Sequence, residues 1–129
     1  MLKFKQVNVN PKGRKTGDCS TRAIANVLGI SYEQALREQY EMAIKYCYGL
    51  TTKENVDKVM QKYGWVKIKQ PQHIDGTKYL VGNINALTNE DCLILMANHY
   101  SCVKNGCIED IWDCRYKTIG NYWIKENNV

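Results

Sequence analysis

The sequence holds only two prolines, Pro11 and Pro71, and only two histidines, His73 and His99. With proline so scarce, no Pro-rich linker divides the chain. Imidazole chemistry is restricted to two positions. No apolar run reaches membrane-spanning length. The longest lies near CLILMA, Cys92 to Ala97, well short of the ~20 residues that a bilayer helix needs. The opening MLKFKQVNVN lacks an apolar h-region, so no secretory signal is expected. Internal repeats and low-complexity tracts are also lacking. These absences point to one domain over residues 1–129, cytoplasmic and without membrane contact.

What is there suits a single core. The chain has 129 residues, 44% hydrophobic and 24% charged, enough to fold without disulfide or metal staples. Its net charge of +5 comes from 18 Lys and Arg set against 13 acids. The basic residues are scattered, which reads as solvated surface, so nucleic acid is not the expected partner. The six cysteines, at 19, 47, 92, 102, 107 and 114, are expected as thiols in a reducing compartment.

KFKQVNVN suggests an edge strand, and NPKGRKTG is a loop rich in turn residues. Asp18 is placed to cap a helix that opens at Cys19, carries Ala23, Ile24, Val27 and Leu28 on one face, and stops at Gly29. SYEQ is a capping box that starts a second helix at Ser31, running to about Tyr46. A third spans roughly Thr52 to Tyr63 and ends at Gly64. WVKIK alternates like a strand, and TKYLVGNINAL suggests a short helix capped by Thr77. DCLILMA reads as a buried strand, HYSCVKNGCIEDIW as a hairpin about Asn105-Gly106, and NYWIK as a last strand. Helices first and an antiparallel sheet after them make an α+β fold. Trp65, Trp123, Tyr46 and Tyr48 are expected to pack the core and its edges; Tyr40, Tyr63 and Tyr116 fit either the core or an interface.

Cys19 stands out because only a thiolate attacks well, and a helix N-terminus lowers a thiol pKa. Asp18 opposes this unless its carboxylate turns onto the backbone as a cap. His73 sits in a polar loop and reads as surface. His99 opens a strand in the most apolar part of the chain and needs a partner. With Asn105-Gly106 as a two-residue turn, Lys104 pairs with Cys107 and Val103 with Ile108. Ser101 then faces Asp110, and His99 faces Trp112. His99 and Asp110 become diagonal neighbours on one face. Trp112 shields their bond from water, and Asp113 falls on the other face. A one-residue bulge would exchange Asp113 for Asp110.

GDCSTRAIA, NHYSCVKNG and IEDIWD, in that order, resemble the papain-like cysteine peptidase superfamily. They are most similar to its minimal members in bacteria and their phages. The resemblance runs from about Gly17 to Trp123. It implies a papain-like fold whose nucleophile sits at a helix N-terminus packed on a C-terminal antiparallel sheet. It implies Cys19 as nucleophile, His99 as general base and acid, and Asp110 as the orienting group. The reaction implied is acyl transfer, most simply cleavage of a peptide or amide bond, with a peptide or protein as substrate and no cofactor. Members commonly carry a Gln six residues before the nucleophile to complete the oxyanion hole, but here that position is Gly13. Thr16, Asn8 and Asn10 are the candidate replacements. The alternative is a papain-fold interaction module with a weak or idle triad, such as a phage-encoded factor that binds a host protein in the host cytoplasm. Zinc is the further alternative, since Cys92, His99, Cys102, Cys107 and Cys114 lie close in sequence. Their spacings fit no common knuckle, so no metal is expected.

Overall fold

The computed structural model describes residues 1–126. The elements follow in the order β1 (Lys3–Gln6), α1 (Cys19–Leu28), α2 (Tyr32–Tyr46), α3 (Lys53–Lys62), β2 (Trp65–Ile68), a 3-10 helix (Val81–Ala86), β3 (Cys92–Met96), β4 (His99–Lys104), β5 (Cys107–Asp110) and β6 (Tyr122–Lys125). This is an α+β architecture. The six strands form one sheet in the order β1-β5-β4-β3-β6-β2.

The helix ends follow local chemistry. Ser31 Oγ accepts from the Gln34 N–H, and Thr52 Oγ1 accepts from the Asn55 N–H. Both are N-cap bonds that satisfy otherwise orphaned first-turn donors. Gly29 takes the left-handed conformation that closes α1, at φ 67°. The face of α1 read from the sequence is the buried one: Ala23, Ile24 and Val27 are enclosed and Leu28 packs beside them. With Ala35 of α2 and Val56, Val59 and Met60 of α3 they cover Leu93, Tyr100, Cys102 and Trp123 on one side of the sheet. The other side, with Ile94, Val103, Ile108 and Tyr122, is covered by the 3-10 helix and the loops carrying Cys114 and Ile119. β3 is therefore enclosed on both faces, which is why its sequence is apolar throughout rather than alternating.

The sheet differs from expectation in one respect. It is mixed rather than antiparallel, because β1 pairs parallel with β5, Lys3 opposite Cys107 and Gln6 opposite Asp110. A parallel partner requires a long crossover, and here that crossover contains the whole helical layer. The expected helix cap at Thr77 is also corrected. Thr77 closes a turn on Asp75, with its N–H 3.0 Å and its hydroxyl 2.7 Å from Asp75 Oδ1. The helical segment begins only at Val81. Trp65 and Trp123 are buried as expected. Tyr46 and Tyr48 are exposed and stack on one another, with ring centroids 6.0 Å apart, because α2 ends at Tyr46 and Cys47 turns the chain away in a left-handed conformation. Tyr40 and Tyr116 are exposed as well, while Tyr63 is half-buried.

The Asn105-Gly106 hairpin has the register expected of it: Lys104 opposite Cys107, Val103 opposite Ile108, Cys102 opposite Glu109. Its second strand is shorter than expected and stops at Asp110. Trp112 therefore lies in a bend beyond the sheet. No helix among the described residues is long and apolar enough to cross a membrane.

Candidate active site

α1 begins at Cys19, and its first turn sits over the start of β4. Asp18 holds the N-cap position, but its carboxylate makes no bond to the helix backbone. This corrects the expectation that the side chain caps its own helix. Instead Oδ2 accepts from Asn10 Nδ2 at 2.9 Å and from the Tyr32 hydroxyl at 2.9 Å. The buried Arg22 guanidinium, one turn on, forms an ion pair with the same carboxylate. The acid beside the thiol is thus compensated by a cation. The first-turn N–H groups are left without a side-chain cap, so the positive end of the helix acts on Cys19.

His99 opens β4, and Met96 lies opposite it on β3. The two-residue Ala97-Asn98 turn between them puts Asn98 at φ 57°. The ring is nearly enclosed, with 9% of the residue exposed, and Asp110 is 5% exposed. Nε2 of His99 lies 2.7 Å from Asp110 Oδ2. The Ile111 N–H donates to the other carboxylate oxygen at 2.6 Å. The Cys114 thiol donates to Oδ2 at 3.6 Å. Since Nε2 is committed to Asp110, Nδ1 is the nitrogen left to the Cys19 thiol. The Trp112 ring leans against the imidazole, with centroids 4.6 Å apart and planes tilted by 42°.

The electrostatics follow from these contacts. Burial pushes the Cys19 thiol up. The hydrogen bond with His99, the Tyr100 backbone N–H, the His99 charge and the Ser20 N–H together outweigh burial and hold it below the ordinary thiol value. Burial likewise disfavours charge on His99, but its bonds with Asp110, Cys114 and Cys19 and the Asp110 charge raise its pKa to about 11. Burial raises the Asp110 carboxyl, and the His99 bond, the Ser101 hydroxyl, the His99 charge and the Ile111 N–H bring it below the ordinary carboxylate range. These shifts favour the charged form of each group, thiolate, imidazolium and carboxylate in sequence.

Asp113 does not share this site. Its carboxylate grips Arg115, with Oδ1 2.9 Å from Nε and Oδ2 2.8 Å from the guanidinium. Of the three candidate oxyanion donors, two are committed elsewhere. The Asn8 amide donates to the Arg14 carbonyl at 3.2 Å, and Asn10 holds Asp18. Thr16 contributes its carbonyl, which accepts from the Asp18 N–H and from Arg22. His73 is exposed and stacks on Tyr79.

Two clefts flank the imidazole. One, of about 420 Å³, is lined by Gly17, Cys19, Thr51, Lys53, Leu95, Asn98, His99 and Tyr100. The other, of about 410 Å³, lies between Met96, Ala97, Asn98, His99, Trp112, Lys117 and Thr118. Cys114 was missed in the sequence as part of the site, although its spacing of one tight turn after Asp110 is a usable signal. Asn98, lining both clefts, had a signal too: it precedes His99 in the shortest possible hairpin connection. Nothing in the sequence brings Thr51 and Lys53 to this place.

His99, Asp110 and Cys114 set their donor atoms within 4.8 Å of one another, the arrangement among the described residues that could hold a metal ion. Hydrogen bonds within the group already account for its closeness. Cys92 and Cys102 point to opposite faces of the sheet and do not join it. All six cysteines are free.

No family model, curated protein or solved structure matches this chain.

Proposed function

We propose that the chain is a papain-like cysteine hydrolase that cleaves peptide or amide bonds by acyl transfer. The observation that carries the reading is the buried 2.7 Å contact between His99 Nε2 and Asp110 Oδ2, with a half-buried thiol of lowered pKa at the ring's other nitrogen. A nucleophile, a base and an orienting acid in that order meet the geometric requirement for nucleophilic catalysis.

In this reading the Cys19 thiolate attacks the scissile carbonyl carbon, and a C–S bond forms as the carbonyl π pair moves to oxygen. The uncapped N–H groups at the start of α1 face that oxyanion. The intermediate collapses, the C–N bond breaks, and His99 gives its Nδ1 proton to the leaving nitrogen. Neutral His99 then takes a proton from water as the water attacks the thioester. The acid product leaves and the thiolate–imidazolium pair returns. Asp110 fixes the ring orientation throughout, and Trp112 limits water access to that bond.

Thiol labelling tests the reading. Iodoacetamide at neutral pH should modify Cys19 at least tenfold faster than the exposed Cys47. His99→Ala should abolish the advantage, whereas Asp113→Asn should keep it. Equal rates at Cys19 and Cys47 would remove the proposal.

A non-catalytic interaction module is favoured by one observation. With the Asn8 and Asn10 amides engaged, neither supplies the side-chain donor that an oxyanion hole ordinarily adds, a loss worth on the order of 100- to 1000-fold in rate. That reading, a phage-encoded factor bound to a host protein, predicts slow labelling of Cys19 and no turnover.

A further inference from the structure

The two clefts share one feature. Each has one lysine in its lining, Lys53 in the first and Lys117 in the second, and neither lining contains a carboxylate. Both lysines are exposed, and among the described residues neither forms an ion pair. Asp110 is bound to His99, Asp113 is held by Arg115, and Glu54, although near enough to act on the Tyr100 phenol, is in neither lining. Each lining also holds apolar surface, Leu95 and the Tyr100 ring in one, Met96 and Trp112 in the other. Each cleft thus combines apolar side chains with an ammonium outside any ion pair among the described residues, a combination suited to a side chain with a hydrocarbon stem and an anionic end.

The chemistry assigns a direction to the pair. The attacked carbonyl must lie over Cys19, and the departing nitrogen must lie at His99 to receive its proton. The cleft that includes Cys19 therefore takes the acyl part of the substrate. The cleft beyond the imidazole, which lacks Cys19, takes the amine part.

We infer that the substrate is an acidic peptide segment with a Glu or Asp side chain on each side of the scissile bond, read by Lys53 on the acyl side and by Lys117 on the leaving side. The inference rests on the hydrolase reading above. Lys53 and Lys117 are then specificity residues rather than catalytic ones, and each acts on its own half of the substrate. Exposed charge contacts are weak and screened, so each lysine should account for about three- to tenfold in kcat/KM at low salt.

A mixed peptide library digested with the full chain and read by mass spectrometry tests this, with neutral iodoacetamide labelling of Cys19 run in parallel. The expected result is enrichment of acidic residues on both sides of the cleaved bonds, weakened by 0.5 M NaCl. Lys53→Glu should remove the acyl-side preference and leave the other intact. Lys117→Glu should do the reverse. Each variant should gain cleavage of peptides with lysine at the matching position. Both lysines are exposed, so neither variant should impair folding, which thermal unfolding of each checks. Equal cleavage of acidic and neutral peptides, or no cleavage of any peptide despite fast labelling of Cys19, would overturn the acidic-substrate inference and spare the nucleophile. Slow labelling of Cys19 would overturn both.

Discussion

Cys19, His99 and Asp110 have pKa values shifted toward alternating charge, and each charged form favours the next. The pH behaviour follows. His99 has its pKa raised to about 11, so its contribution to stability is complete below the unfolded value of about 6.5 and is lost as pH rises toward the folded value. Cys19 has its pKa lowered, so its contribution is complete above the unfolded value of about 8.5 and is lost as pH falls through the folded one. Between those unfolded values the two changes oppose one another. Thermal stability of the native chain should therefore fall less steeply from about pH 6.5 to 8.5 than it does above that range. Cys19→Ala keeps only the His99 contribution and should lose stability from about pH 6.5 upward. Asp110, with its pKa lowered, contributes above its unfolded value of about 3.9 and loses that contribution on acidification in both proteins. Coincident curves for the two proteins would refute the charge pairing. Labelling of Cys19 should likewise level off at a lower pH than an ordinary thiol allows.

At the scale of elements, the first turn of α1 is held by a side chain from α2. Gln39 is wholly buried. Its Oε1 accepts from the Thr21 hydroxyl at 2.6 Å, and its Nε2 donates to Ser20 Oγ at 2.9 Å. Its backbone carbonyl accepts from Asn55 Nδ2 of α3 at 3.0 Å. Three helices meet at one residue. Gln39→Leu would leave the Ser20 and Thr21 hydroxyls without that partner in the interior, a cost of about 2–4 kcal/mol. Denaturant unfolding should show it, together with slower Cys19 labelling as the turn loosens. An unchanged labelling rate would separate the network from the site. The same scale shows what could be read in advance. The two capped helices, the apolar face of α1, the doubly buried β3 and the Asn105-Gly106 register all rest on local pattern, and the register alone brought Asp110 rather than Asp113 to His99. Most of what escaped was non-local. Asp18 failed to cap because its partners, Asn10, Tyr32 and Arg22, come from three segments. β1 joined in parallel because strand direction at a sheet edge leaves no mark on a four-residue pattern. The 3-10 helix started later than expected because Thr77 found Asp75 first.

For the molecule as a whole, the sheet separates two apolar layers, and Trp123 of β6 ties one of them together. It is fully buried, and its Nε1–H donates to Asp57 Oδ1 at 2.9 Å. Trp123→Ala should destabilise the chain by roughly 3–5 kcal/mol, from lost burial and the cavity left behind. A fall of less than about 1 kcal/mol would mean that the helical layer closes over the gap. The placement of β6 has a wider consequence. It lies between β3 and β2, antiparallel to both, yet it is the last of the six strands in chain order. As the polypeptide emerges from the ribosome, β2 waits without a neighbour and the apolar flank of β3 stays open until residues 122–125 arrive. Stalled or shortened chains thus offer a bare, greasy edge to one another. For this protein, clumping during synthesis should be governed by β6, not by its thiols.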